Sequence, residues 1–189
     1  WQRHLNRIGE QVQYMTRLID EMLLVSDGQK GQMAFEPEVI NFSDLCTQVV
    51  HDLRLDTIKT HTFINEIDQS QTALYLDPSL MRHVVTNLLQ NAIKYTPEGG
   101  HIHLKTQIEE YILVITVADT GIGIPADDLV NLFEMFVRAS NTGTISGSGL
   151  GLALVKYCMD AHGGSIEVES TVGEGTIFTV RVPLGEPPH

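Results

Sequence analysis

The 189-residue sequence has few of the features that mark secreted or membrane-spanning proteins. Its only cysteines, Cys46 and Cys158, are far apart and outside any CxxC pair, which predicts two free, buried thiols in a reducing compartment. No apolar run approaches the roughly 18 residues of a membrane-spanning helix. The first residues also lack the charged start and long apolar run of a signal peptide.

Basic residues are scarce, since 12 lysines and arginines stand against 24 acidic residues, for a net charge of −12. Nucleic acids and anionic membranes require a basic face, so we predict neither as a partner. A nucleotide ligand remains compatible, because backbone amides and Mg²⁺ can bind phosphate on an acidic protein. Because Trp1 is not a natural start, we expect a cytoplasmic fragment whose membrane anchor or sensor, if the intact protein has one, lies upstream.

Residues 1–26 predict one long helix with an apolar seam. Apolar residues recur at alternating steps of four and three over three heptads, at Trp1, Leu5, Ile8, Val12, Met15, Ile19 and Met22. This spacing favours a helix that packs against a partner helix; the alternative is an ordinary amphipathic helix packed on its own domain. Residues 27–32 are polar with two glycines and predict a hinge, and residues 33–189 predict a second domain.

Strands and helices are mixed in the second domain without strict alternation. This predicts an α+β fold with helices on one face of a mixed sheet. Strands are predicted over 33–40, 62–67, 72–76, 102–108, 111–118, 165–170 and 176–183. Pro37 makes the first of these an edge strand or a broken one. Helices are predicted from the Asn41 cap to about 56, from the Asp77 cap to 95, over 127–133 and over 150–162. Residues 119–148 predict a long loop, which is typical of a functional segment.

The segment 87–95, NLLQNAIKY, combines a packing face with a polar face. His83, Asn87, Asn91 and Lys94 fall within about 80° of helical arc. Asparagine is a mediocre helix former, so two inside one helix need a reason. Asparagine oxygens can bind Mg²⁺ and a lysine can neutralise phosphate, which favours a metal-bound polyphosphate over a merely solvated stripe. No carboxylate stands beside the asparagines to activate a water.

Two glycine-containing motifs follow. Asp119 ends a predicted strand and opens a turn with Gly121 and Gly123, where a carboxylate could accept from an exocyclic amine such as that of adenine. A turn capped by aspartate explains that motif equally well. The segment 147–151, GSGLG, opens a helix and predicts an anion site, but it lacks the strand and spacing of the dinucleotide fingerprint.

In this order, the three motifs resemble the ATP-binding domain of sensor histidine kinases, a member of the GHKL group with gyrase, Hsp90 and MutL. The resemblance covers residues from about 33 to 184. It includes the phenylalanine box of the lid at 133–136, FEMF, and the terminal Gly-Thr pair at Gly175 and Thr176. It implies a two-layer α/β sandwich that binds ATP and Mg²⁺.

The resemblance also implies residue roles. Asn91 would coordinate Mg²⁺ with help from Asn87, while Lys94 and Arg138 would contact the phosphates. The catalytic residues would be Asn87, Lys94 and Arg138. The base and lid contacts would come from Tyr95 on the adenine ring, Asp119 at the adenine amine, Thr176 through a shared water, and the loop residues Gly121, Gly123, Gly147, Gly149, Leu150 and Gly151.

The implied activity is transfer of the γ-phosphoryl group of Mg·ATP to a histidine of the same or a partner subunit, for relay to a response regulator. Residues 18–24 resemble the end of the second helix of the dimerisation and phosphoacceptor domain, a four-helix bundle built by a homodimer. His4 is a poor phosphoacceptor because Leu5 follows it and no proline is near, so we place the acceptor upstream.

Two alternatives stay open. Clamp ATPases of the GHKL group carry a glutamate where Asn87 stands, and glutamate can deprotonate water. A degenerate kinase used as a scaffold would bind no nucleotide.

His101 and His103 share one strand face, but they lack a third metal ligand at useful spacing and are predicted to be exposed.

Overall fold

The computed structural model describes residues 15, 19, 22–30, 34–70 and 73–185. Residues 22–29 are helical and lead into an α+β domain, which confirms the predicted fold class. The helices of this domain are α1 (Phe42–Asp52), α2 (Pro78–Tyr95), α3 (Ala126–Leu129) and α4 (Gly151–Ala161). A 3₁₀ turn spans Ser140–Thr142.

The strands are β1 (Glu38–Ile40), β2 (Thr62–Ile67), β3 (Leu74–Leu76), β4 (His101–Glu109), β5 (Ile112–Asp119), β6 (Ser165–Thr171) and β7 (Gly175–Pro183). Five of them form a sheet in the order β2-β4-β5-β7-β6, and β1 pairs with β3 separately. The sheet is mixed, since β2 and β4 run parallel and the other neighbours run antiparallel. A parallel pair needs a crossover, which β3 and α2 supply.

One face of the sheet forms the core. Successive side chains point to opposite faces, so the register aligns Leu104, Val117 and Phe178 in one buried inward row. The outward positions include Lys105 and Glu167, which are exposed. Helices α1, α2 and α4 contribute their buried apolar faces to the same core, so the helices cover one face of the sheet as predicted.

Both predicted N-caps are confirmed. The Asn41 side chain accepts from the Asp44 amide at 3.1 Å and begins α1. The Asp77 carboxylate accepts from the Leu80 amide at 3.0 Å, and Pro78 occupies the first turn of α2. A side-chain oxygen at this position satisfies an amide that has no partner inside the helix.

Three predicted elements have the wrong bounds. Helix α1 ends at Asp52 and not near 56, because the chain turns after it and Arg54 takes a left-handed φ of 56°. Within residues 34–40, the described part of the strand predicted over 33–40, the strand is Glu38–Ile40; it begins directly after Pro37, the residue expected to break it because proline lacks the amide that a ladder needs. The helix predicted over 127–133 is the shorter α3, followed by turns. The start of the strand predicted over 72–76 lies outside the described residues.

The N-terminal helix contacts the domain. It continues to residue 29, three residues into the predicted hinge, and the division into domains stays a prediction. Val25 is buried in the core, and Gly28 lies against the Tyr157 ring of α4. Met15, Ile19 and Met22 of the seam are each more than half exposed. The other seam positions and His4 lie outside the described residues, so the partner helix stays a prediction.

Cys46 and Cys158 are buried and unpaired, as predicted. Burial raises the pKa of each thiol to about 12.

Within the described part of the chain, no group of three or more His, Cys, Asp or Glu side chains could hold a metal ion. His101 is exposed, and His103 lies beside Glu66 on the outward face. None of the described helices has both the length and the apolar character to cross a membrane.

Candidate functional site

A cleft lies between α2, the loop that follows β5, and the start of α4. Most of the predicted site residues line it: Asn87, Asn91, Lys94, Tyr95, Asp119, Gly123, Arg138, Gly147, Gly149, Gly151 and Thr176. Two predicted residues do not. Gly121 lies beneath the cleft against the Tyr95 carbonyl, and the Leu150 side chain is buried in the interior. The fold therefore brings together residues that are up to 89 positions apart, from Asn87 to Thr176.

Asn87 is buried at the point where α2 meets α4. Its side-chain Nδ2 donates to the His83 carbonyl at 2.9 Å. Its Oδ1 faces Gly151, where a Cβ atom would stand only 2.5 Å away. The donor end of this amide is thus occupied by the helix backbone, and the oxygen end is directed at the start of α4. Asn91, one turn further along α2, is half-buried in the cleft wall.

Lys94 places a positive charge on the same wall of the cleft. Lys94 Nζ donates to the Tyr95 hydroxyl at 2.9 Å and lies 4.6 Å from the centre of that ring. It also lies against Gly147, where any side chain would overlap the ammonium group. The interaction with the aromatic face holds the charge in the cleft mouth, beside the loop amides that an anion would use.

Asp119 forms the floor at the sheet end. Gly121 donates its amide to Asp119 Oδ1 at 2.8 Å, and the Thr176 amide is a second donor. Burial raises the pKa of Asp119 to about 6, although these two donors favour the ionised form and act in the opposite direction. The carboxylate is therefore mostly ionised at neutral pH and can accept a further hydrogen bond from a ligand.

Two glycines allow the strand ends to meet around Asp119. Gly175 has a φ of +127°, and a Cβ atom there would overlap the Asp119 carbonyl. Gly123 has a φ of +66°, and a Cβ atom there would overlap the Thr171 carbonyl. Since both obstacles are backbone atoms, neither position can take a side chain without separating the strand ends.

The loop over the cleft, residues 120–150, is held by its own polar contacts, and we call it the lid. Arg138 donates to the Thr142 hydroxyl at 3.1 Å and to the Ile145 carbonyl. Ser140 donates its amide and its hydroxyl to Asp128, both at 2.7 Å, and these bonds lower the pKa of Asp128. Arg138 is thus engaged within the lid although it lines the cleft.

Sequence reasoning missed the residues that anchor the lid. Asn141 Nδ2 donates to the Gly123 carbonyl at 2.8 Å and so joins two parts of the lid that are 18 residues apart. The Asp128–Ser140 contact spans twelve residues and leaves no local pattern. Ser170 donates to the Gly175 carbonyl and lies 2.9 Å from the Thr176 hydroxyl. Only the adjacent pair Ser140 and Asn141 carried a signal, as residues typical of turns.

The cleft thus offers three kinds of contact. Amide oxygens and an ammonium group lie along α2, backbone amides lie at the start of α4, and a carboxylate lies at the sheet end. Among the described residues that line the cleft, Asp119 is the only acidic one, and it is on the floor and not on the α2 wall. This distribution suits a ligand that has an amine at one end and several negative charges at the other.

Residues 76–186 match the family described as "Histidine kinase-, DNA gyrase B-, and HSP90-like ATPase". Adaptive-response sensory kinase SasA of Thermosynechococcus vestitus is 36% identical over 186 residues, covering 97% of this chain and 49% of that protein. Sensor histidine kinase WalK of Bacillus subtilis is 32% identical over 188 residues, covering 97% of this chain and 31% of that protein. The chain therefore spans half the length of these relatives or less.

The fold is shared with histidine kinase ThkA. The nucleotide-free catalytic domain of ThkA superposes with a TM-score of 0.69 and 26% identity, covering 79% of this chain and 98% of that domain. A structure of ThkA in complex with response regulator protein TrrA superposes with a TM-score of 0.71 and 22% identity, covering 96% of this chain and 51% of the ThkA chain.

Proposed function

This chain belongs to the family of histidine kinase-, DNA gyrase B- and HSP90-like ATPases and carries the ATP-binding catalytic core of a sensor histidine kinase, and we propose that it transfers the γ-phosphoryl group of Mg·ATP to a histidine. The acceptor histidine would lie upstream of this sequence, on the same or a partner subunit. A receiver aspartate of a response regulator would then take the group, as the ThkA–TrrA complex suggests by analogy.

The observation that carries this proposal is Asn87. An enzyme that hydrolyses ATP needs a base to activate a water, and the neutral amide of Asn87 cannot act as one. The acid that lines the cleft, Asp119, is held by the amides of Gly121 and Thr176 at the sheet end. An imidazole is already a good nucleophile, so transfer to histidine requires mainly positioning and neutralisation of charge.

The donor set on α2 fits a magnesium ion. Mg²⁺ prefers oxygen ligands and keeps waters and substrate phosphates in its shell, so one or two protein oxygens suffice. Asn91 is half-buried in the cleft wall, and Asn87 presents an oxygen because His83 occupies its nitrogen. When bound, the metal would neutralise charge on the β- and γ-phosphates.

The remaining roles follow from the positions of charge. Asp119 would accept from the adenine amine, with Tyr95 beside the base. Lys94 would donate to the phosphates from the cleft mouth. Arg138 would reach the γ-phosphate after it leaves Thr142 and Ile145, so its contribution requires a movement of the lid. The amides at the start of α4 would complete the anion site.

Binding and turnover by the 189-residue chain test this proposal. Calorimetric titration should show Mg²⁺-dependent binding of ATP and a non-hydrolysable analogue, with weaker binding of guanine nucleotides. Phosphate release should stay near background, and γ-labelled ATP should leave no acid-labile label on this chain alone. The chain together with its upstream segment should acquire the label on histidine.

Each alternative predicts a different result. Steady release of phosphate that depends on Mg²⁺ would favour a clamp ATPase. Failure to bind any adenine nucleotide at millimolar concentration would favour a scaffold without catalytic activity. A label on this chain that disappears with His4→Gln would show that the acceptor is His4.

A further inference from the structure

His162 joins the end of α4 to the start of α2. The ring is half-buried and directly follows α4. The Asp77 amide donates to its Nε2 at 3.2 Å, and its Nδ1 lies 2.8 Å from the Cys158 carbonyl. Because Nε2 accepts, Nδ1 carries the proton and donates to that carbonyl, which leaves the imidazole neutral in one tautomer.

The chain that enters the domain contacts this ring through Phe35 and contacts Asp77 through Glu36. The Phe35 ring packs against His162 edge to face, with centroids 5.0 Å apart and an angle of 84°. The Glu36 amide donates to Asp77 Oδ2 at 2.8 Å. The other oxygen of the buried Asp77 caps α2 through Leu80. Asp77 and His162 therefore hold the entering segment to both helices at once.

These two helices meet again at the cleft. The Asn87 side chain of α2 faces Gly151, the first residue of α4. The 11 residues of α4 extend about 16 Å between that contact and His162. Between the two ends, Gly28 of the N-terminal helix lies against Tyr157. The segment that precedes the domain thus contacts α4 at Tyr157 and the residue that follows α4, His162. Asn87 of the cleft wall contacts the start of α4.

We propose that His162 is a positioning residue that couples the entering segment, Phe35 and Glu36, to the nucleotide cleft through α4 and α2. This inference rests on the proposed function, since it assumes that the cleft binds a nucleotide. Coupling of this kind is reciprocal. A nucleotide in the cleft stabilises the segment on Asp77 and His162, and loss of the segment's contacts weakens nucleotide binding.

Two measurements on the whole 189-residue chain test the coupling: the Kd for a Mg²⁺-bound non-hydrolysable ATP analogue, and hydrogen exchange of the Glu36 amide with and without that analogue. In the natural protein, the analogue should slow exchange at Glu36. His162→Phe keeps a ring beside Phe35 but leaves the Asp77 amide without its acceptor. It should abolish the protection of Glu36 and raise the Kd roughly fivefold or more.

Two variants serve as controls. His162→Gln supplies a side-chain oxygen as a new acceptor for the Asp77 amide and should recover part of both effects. His51→Gln changes an exposed histidine on α1 and should change neither. Phe35→Ala removes the ring contact with His162 from the side of the entering segment. The double variant Phe35→Ala/His162→Phe should therefore weaken nucleotide binding no more than the single variant that has the larger effect.

A purely structural His162 would give another pattern. If His162→Phe lowers thermal stability but leaves the Kd and the protection of Glu36 unchanged, the coupling is wrong. Fully additive losses in the double variant would also contradict it. If the natural protein binds no adenine nucleotide, the proposed function fails, and this inference fails with it.

Discussion

Asp119 and Thr176 face each other across antiparallel strands β5 and β7, and the Thr176 amide donates to the Asp119 carboxylate. The Gly121 amide donates to the same group. Burial nevertheless raises the pKa of Asp119 to about 6, so the charge at the cleft floor changes just below neutral pH. We therefore expect both ligand binding in the cleft and the stability of the fold to depend on pH through this one residue.

Asp119→Asn should weaken binding of adenine nucleotides about tenfold or more, because a hydrogen bond to a charged group contributes roughly 1.5–3 kcal/mol. Binding to the natural protein should weaken as pH falls below about 6, and binding to the variant should change little over that range. Calorimetric titration across pH measures both. Asp56→Asn, on an exposed turn, is the matched control; equal loss there would contradict a role at the base.

The same group affects unfolding with a defined sign. The pKa of Asp119 is raised in the folded state, so the folded chain binds more protons than the unfolded chain between pH 3.8 and about 6. The contribution of Asp119 to the free energy of unfolding therefore increases as pH falls through this window and decreases as pH rises. Urea unfolding of the natural protein and of Asp119→Asn should diverge there, with the variant relatively more stable at neutral pH.

Asn91→Ala should remove the metal-dependent part of nucleotide binding and leave the metal-free part unchanged. The side chain is half-buried in the cleft wall, so the melting temperature should change little. Gln90→Ala changes the neighbouring residue of the cleft lining and should keep the response to Mg²⁺. A normal Mg²⁺ response in Asn91→Ala would exclude this residue as a ligand.

Gly173 and Gly175 provide a matched pair, because both have positive φ and only one is obstructed. Gly173 has a φ of +82° with open space around it, so Gly173→Ala should cost about 1–2 kcal/mol. In Gly175→Ala the new methyl group would also overlap the Asp119 carbonyl, and the loss should be clearly larger. Equilibrium unfolding in urea measures the difference; equal losses would mean that the strand ends can separate freely.

Gly28→Ala should displace the N-terminal helix, since the new Cβ would stand 2.6 Å from Cγ of Tyr157. Thermal stability should fall and tryptic cleavage after the exposed Lys30 should become faster. Tyr157→Ala opens the space, so Gly28→Ala should cost less in that background than in the natural one. An undiminished cost would show that Tyr157 is not the obstacle.

Local signals in the sequence were sufficient for helix α2. Asp77 and Pro78 mark its start, and the amphipathic pattern separates the buried Leu88 from the stripe that carries Asn91. The predicted end of α1 was wrong because a local signal of the same kind continues beyond the observed end. Leu53 and Leu55 continue an apolar pattern that favours helix, whereas the observed turn depends on the left-handed backbone at Arg54.

Contacts between distant segments left no such signal. The parallel pairing of β2 with β4 depends on how the whole sheet assembles. The close approach of Gly175 to Asp119 joins residues 56 positions apart. The lid bond from Asn141 to Gly123 is equally invisible in composition or periodicity. The order of the motifs was enough to predict most of the residues that line the cleft. The contacts that shape the cleft could be identified only from the fold.

The N-terminal helix has two apolar flanks. Each residue advances about 100° along the described helix 22–29, so Met22 lies on one flank while Val25 and Gly28 lie on another. The first flank is exposed, and the second is packed against the core and Tyr157. A torque that turned the first flank inward would lift Val25 out of the core and press a larger residue against Tyr157. The helix therefore has a preferred angle about its own axis, and the packing of one valine and one glycine resists its rotation.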